Sequence, residues 1–162
     1  MSRACAAFEP LPEDRAEATF AWLEARYGLA PAVFAGHRFW HRPGSPALWL
    51  AAVGLSPPPG DATIAVGLCA FRDPPPRGKP STVFLQRFGR HATRQACDLE
   101  ALAAARYLAG EDVGWPDPAL RGWVVVRAGS LVLGRGWAEG GRIRNEIKRS
   151  WLQGQEEEGE WA

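Results

Sequence analysis

Cations are the residues of this chain best placed to do chemistry. From Arg77 to Ala96 the sequence carries Arg77, Lys79, Arg87, Arg90 and Arg94 and no acid. From Arg121 to Arg149 it carries Arg121, Arg127, Arg135, Arg142, Arg144, Lys148 and Arg149 against only Glu139 and Glu146. A guanidinium is a planar fork that matches phosphate oxygens. Two such stretches folded onto one surface would make a positive face suited to phosphates. The net charge is only +1 because the acids collect elsewhere, half of them in residues 1–30 and in Glu156-Glu157-Glu158-Gly159-Glu160. The competing reading of the same charges is a solvated surface with both signs interspersed.

Other chemistries find less support. His37 and His41 stand four apart, but the segment between them reads as a strand, where i and i+4 lie far apart, and no acid or cysteine adjoins them. The three cysteines, Cys5, Cys69 and Cys97, form no C-x-x-C pair, so neither a zinc knuckle nor a dithiol centre is expected. Asp61, Asp73, Asp98, Glu100, Glu139 and Glu146 form no pair that calls for acid–base catalysis. Phosphate-loop, dinucleotide, zincin and nucleophile-elbow motifs are absent. The reading is therefore no enzyme, no cofactor and no metal. Of the eight tryptophans, most are expected to pack, and any left exposed could stack on bases.

The elements that would position these residues follow from spacing. Ala16, Phe20, Leu23 and Tyr27 make one stripe, which predicts a helix over Glu13–Tyr27 stopped by Gly28. His37–His41 and Ala47–Val53 read as a hairpin about Pro43-Gly44-Ser45-Pro46. Ser56-Pro57-Pro58-Pro59-Gly60 is a break and the expected boundary between subregions. Thr63–Phe71 reads as a central strand. A helix from Pro80 to Phe88 would turn Val83, Phe84 and Phe88 inward, stopped by Gly89. A strand over Ala92–Cys97 precedes a helix over Leu99–Leu108, with Asp98 as its N-cap and Leu99, Leu102, Ala103 and Arg106 on one face. Gly122–Arg127, Leu131–Trp137 and Arg142–Lys148 form a meander. Gly134 and Gly136 mark a sharp bend or a close backbone approach within it. The pattern predicts an α+β fold: a small mixed β-sheet or pseudo-barrel with two to three helices.

The order Lys79-Pro80-Ser81-Thr82, Leu85-Gln86-Arg87-Phe88-Gly89-Arg90, Ala92-Thr93-Arg94, Gly122-Trp123-Val124-Val125-Val126-Arg127, Leu133-Gly134-Arg135-Gly136-Trp137 and Gly141-Arg142-Ile143-Arg144-Asn145 resembles the PUA-like C-terminal RNA-binding region of Nop/Sun-family (RsmF-type) RNA cytosine-5 methyltransferases. The resemblance covers residues 61–149. The catalytic domain of those enzymes, with its paired cysteines and its SAM site, has no counterpart here. The resemblance implies an RNA-docking module without the catalyst.

These readings combine into three segments. Residues 1–60 form an N-terminal helix and β-hairpin subregion, 61–150 a PUA-like RNA-binding domain and 151–162 an acidic, disordered tail. Expected RNA-binding residues are Lys79, Arg87, Arg90, Arg94, Gly134, Arg135, Gly136, Arg142, Arg144 and Lys148, the two glycines offering open backbone amides. The expected partner is structured RNA (rRNA or tRNA), with a separate RNA-modifying enzyme or ribosomal component beside it. The alternatives are a protein-interaction domain using exposed Trp and the acidic tail, and an RNA-acting enzyme with a site near Lys79 and Asp98. No apolar run reaches the ~20 residues that span a bilayer, and the first residues lack the apolar core of a secretory signal. A cytoplasmic location is expected.

Overall fold

The computed structural model describes residues 6–58 and 63–147. The chain forms two compact units, Met1–Phe84 and Leu85–Ala162. The N-terminal unit opens with a short strand, β1 (Glu9–Pro10), and helix α1 (Glu13–Tyr27). The predicted stripe faces inward: Leu23 and Tyr27 are fully buried. Gly28 ends the helix at φ +65°, and its N–H donates to the Glu24 carbonyl at 2.8 Å. Glycine enters this left-handed conformation without steric cost. A 3₁₀ turn over Pro31–Phe34 leads into β2 (His37–His41), β3 (Leu48–Ala52), β4 (Leu68–Asp73) and β5 (Lys79–Pro80). The sheet order is β1-β2-β3-β4-β5, with every neighbour antiparallel.

Alternation divides this sheet into two apolar faces. Phe39, Leu48 and Leu50 share one, and Phe20 reaches both Phe39 at 4.9 Å and Phe34 at 5.3 Å between ring centroids. Trp40, Ala51, Phe8 and Val66 form a second cluster with Trp49 against it. Arg42 lies 4.3 Å over the Phe8 ring and donates to the Thr63 carbonyl. These tryptophans pack, as most were expected to.

Three sequence expectations need correction here. The strand predicted over Thr63–Phe71 starts only at Leu68, because Gly67 at φ +61° breaks the extended run. The Ser56–Gly60 break does not separate compact units, since β4 pairs with β3 across it. Pro80 belongs to β5, and helix α2 (Thr82–Phe88) starts after Ser81, whose Oγ accepts the Phe84 N–H at 3.1 Å. Val83 on that helix is exposed, whereas Phe84, Leu85 and Phe88 are buried.

The C-terminal unit takes up the chain within α2. A 3₁₀ turn over Gly89–His91 leads to β6 (Ala96–Asp98), α3 (Ala101–Leu108), β7 (Val113–Gly114), β8 (Gly122–Ala128), β9 (Leu131–Glu139) and β10 (Arg142–Asn145). Their order is β6-β8-β9-β10-β7, with β6 parallel to β8 and the other pairs antiparallel. The expected mixed sheet and terminal meander are therefore present. The core gathers Cys97, Leu99, Ala104, Tyr107, Val113, Val124, Val126, Leu133, Ala138 and Ile143.

Details differ from the spacing. The Ala92–Cys97 strand shortens to β6. Asp98 does not cap α3: Glu100 occupies the N-cap position without a side-chain bond, and both Asp98 oxygens accept from Arg127 at 2.9 and 2.7 Å. Leu102 is 77% exposed, and Ala104 and Tyr107 face the core in its place. β10 stops at Asn145, whose N–H donates to Asp112 Oδ1 at 2.8 Å and whose amide reaches the Tyr107 and Glu111 carbonyls. Lys148 and the acidic tail lie outside the described residues.

Candidate nucleic-acid interface

The register of β8, β9 and β10 decides which side chains share a surface. Cross-strand partners point to one face of a sheet. Val124, Val126, Ala138 and Ile143 face the core. Trp123, Val125, Arg135, Trp137 and Arg144 take the other face, through the pairs Trp123↔Trp137, Val125↔Arg135 and Arg144↔Trp137. Part of that face is covered. A Cβ on Gly89 would lie 2.9 Å from Val125 and 3.4 Å from Val132, so the 3₁₀ turn sits directly on the β8–β9 ladder.

Two positions along β8, about 7 Å away at the strand rise, the same face carries paired rings and cations. There the Trp123 and Trp137 rings meet edge to face at 4.9 Å and 79°. Arg135 lies 5.1 Å from the Trp123 centroid and Arg144 5.9 Å from that of Trp137. The result is a row of cation, ring, ring and cation, with both rings half-buried. Each cation–π contact of this exposed kind contributes ~0.5–1 kcal/mol. Tyr107 holds the row from beneath, donating its hydroxyl to the Arg135 carbonyl at 2.6 Å.

Two depressions flank Trp137. The larger, about 480 Å³, lies where β8 begins and β9 ends, and is lined by Asp117, Leu120, Arg121, Trp137, Glu139 and the Gly140–Gly141 turn. The smaller, about 150 Å³, is lined by Asp112, Trp137, Glu139, Arg142 and Arg144. The wall of the larger is braced. Gln95 accepts from the Arg121 N–H at 3.2 Å and donates to the Ala119 carbonyl at 3.3 Å, while Asp117 Oδ1 accepts the Ala119 N–H at 2.8 Å. Trp137 Nε1–H donates to Glu139 Oε2 at 3.3 Å.

The residues expected at an RNA site divide accordingly. Arg135, Arg142 and Arg144 come together around Trp137. Arg87 and Arg90 are exposed on α2 and the 3₁₀ turn, which packs on the same sheet face, and Arg94 is exposed just before β6. Arg90 Nε donates to His91 Nε2 at 3.0 Å. Lys79 belongs to β5 in the N-terminal unit, where it is half-buried. Gly134 and Gly136 are buried in the ladder, so the open backbone expected of them is not there. A Cβ at Gly136 would overlap Ile143 Cγ2 and lie 3.0 Å from Val126 Cγ2. This glycine serves strand packing.

Carboxylates are interspersed with the cations of this face. Arg142 pairs with Asp112 at 3.0 Å and Arg144 with Glu146 at 3.2 Å. Both guanidiniums stay more than half exposed. Such surface pairs are worth ~0–1 kcal/mol, and phosphate oxygens can replace their carboxylates at little cost. Trp123, Trp137, Arg121, Asp117 and Glu139 were missed. The signal for the two tryptophans was parity with Arg135 and Arg144, hidden by a change of register within the hairpin.

Among the described residues no group of three or more His, Cys, Asp or Glu could hold a metal, and no helix is long and apolar enough to cross a membrane. Burial pushes the Cys97 thiol up to about 12, with Asp98 adding to the rise and Arg127 opposing it, so this cysteine is a core residue and not a nucleophile. No curated protein matches the chain. The family model described as Methyltransferase RsmF PUA domain matches residues 94–153, so the Lys79–Thr93 stretch of the resemblance precedes it. The matched segment contains β6 to β10, α3 and the Arg–Trp row, and this part of the chain is similar to the PUA domain of RsmF-type methyltransferases.

Proposed function

We propose that this protein docks structured RNA (ribosomal or transfer RNA) through the face of its C-terminal sheet that carries the Arg–Trp row, alone or beside a separate RNA-modifying enzyme. The coarser statement, an RNA-binding role for a PUA-like domain, comes with the family. The single observation that carries the finer reading is the Arg135–Trp123–Trp137–Arg144 row. Ring faces accept unstacked bases, and arginines flanking them neutralise phosphates and stack in turn. Arg87, Arg90 and Arg94 extend this surface with further cations. Sequence specificity would come from loops and bulges, since the major groove of an A-form helix is too deep and narrow for side chains to read.

The test is equilibrium binding of a transfer RNA and of a ribosomal RNA hairpin to the full chain over a range of salt. Affinity should fall steadily as salt rises, because each neutralised phosphate releases counterion. No affinity at low salt, or affinity indifferent to salt, would sink the reading. Trp40 and Trp49 are packed in the N-terminal unit and offer nothing to the protein-interaction alternative. Nor does Asp98 favour catalysis nearby, since its carboxylate is held by the Arg127 fork.

A further inference from the structure

We propose that the 480 Å³ depression beside Trp137 accepts an unpaired guanine base. The inference rests on the RNA-docking reading above and adds the identity of one nucleotide. The lining is unusual for a surface that meets nucleic acid. It combines the indole of Trp137 with two carboxylates, Asp117 from the loop and Glu139 from β9, and one guanidinium, Arg121. Carboxylates repel phosphate, so this hollow is built to read a base and not the backbone. Arg121 at the rim supplies the countercharge for the phosphate of the same nucleotide.

Base chemistry selects among the four candidates. A carboxylate offers two oxygens that accept side by side. The Watson–Crick edge of guanine presents N1–H and N2–H₂ as adjacent donors, which match that fork. In adenine and cytosine the amino donor is flanked by a ring-nitrogen acceptor, whose lone pair would face the second oxygen. In uracil the single donor lies between two carbonyl acceptors. Only guanine meets a carboxylate with two donors and no opposing lone pair.

The carboxylates are also held in place before any ligand arrives. The Ala119 N–H holds Asp117 Oδ1 at 2.8 Å, Trp137 Nε1–H holds Glu139 Oε2 at 3.3 Å, and Gln95 braces the loop between them. A base seated there would lie against the indole that anchors one of its readers. Pre-organisation of this kind lowers the ordering cost of binding.

The experiment uses the full chain and a fluorescently labelled RNA hairpin whose loop holds one guanine among uridines. Replacing that guanine by adenine, cytosine or uracil should weaken binding about tenfold, the scale of one bidentate base contact. Inosine, which keeps N1–H and lacks the N2 amino group, should fall between. The Asp117→Asn/Glu139→Gln double variant, checked for folding by circular dichroism, should bind all the loops alike. Equal affinity of the unaltered protein for every loop would overturn the guanine pocket while leaving RNA docking intact. Guanine preference that survives in the folded double variant would also overturn it. Failure to bind any hairpin at low salt would remove both readings together.

Discussion

Trp137 is the residue on which the proposed activity turns, because it stands in the Arg–Trp row and lines both depressions. Trp137→Ala should weaken binding of a structured RNA by about 1–3 kcal/mol, the worth of one base–aromatic stack, as read by fluorescence anisotropy. Undiminished affinity in the folded variant would mean that the row is not the docking surface. Gly136 answers to packing instead. Gly136→Ala should lower stability by about 1–3 kcal/mol through overpacking against Ile143 and Val126, visible as a lower urea midpoint with unchanged slope. Residue-scale function was only partly legible in the sequence. Arg135, Arg142 and Arg144 stood out as cations on alternating strands. The carboxylate that pairs with Arg142 did not, since Asp112 lies 30 residues away, a separation no local pattern reports.

At the scale of elements, one extra residue in β9 decides the site. Ala128 pairs with Leu131 and Arg127 with Val132, but Val126 then pairs with Gly134. The bulge leaves Leu133 unmatched and shifts the ladder by one position, which exchanges faces for everything beyond it. Without the shift Trp137 would lie opposite Gly122, on the other face from Trp123. The hairpin itself was legible, because turn residues flank β-branched runs; the bulge was not. Helix α1 was read to its last residue because four apolar side chains and a glycine stop agree. Helix α3 was misread at Asp98 and Leu102 because the Arg127 fork, from a distant strand, claims the expected cap. Tyr107 ties α3 to β9, so Tyr107→Phe should lower stability by about 1–2 kcal/mol, the cost of an orphaned buried acceptor at Arg135. A thermal or chemical denaturation series on the full chain checks this, and no loss would show that the 2.6 Å bond contributes nothing.

For the molecule as a whole, charge is dispersed among pairs that salt and phosphate can open, and stability rests on apolar burial. Buried acids within it, Cys97 and Tyr27 among them, set an alkaline limit. Burial pushes the Cys97 thiol up to about 12 from an ordinary 9.0, and the Tyr27 hydroxyl to about 12 from 10.0 despite the lowering effect of Arg26. Both are acids whose folded pKa is raised, so the unfolded chain loses their protons first. Their contribution is complete below pH 9 and drains away as pH climbs from about 9 to 12. Urea midpoints should be unaffected by these groups up to pH 8.5 and fall above it, and Cys97→Ala should flatten part of that decline. A midpoint that does not fall between pH 9 and 11 would contradict the burial argument.

The order β6-β8-β9-β10-β7 also has a consequence for synthesis. Of the strands of the C-terminal unit, the two that leave the ribosome first, β6 and β7, become the outermost pair, and every partner they need is encoded later. A nascent chain halted before Arg142 would hold α3 with an edge strand at each end and no neighbour for β7. Folding of the C-terminal unit must therefore wait until β10 has emerged. Arrested chains ending at Glu139 should remain open to protease, whereas chains extended past Asn145 by a linker long enough to clear the exit tunnel should become resistant.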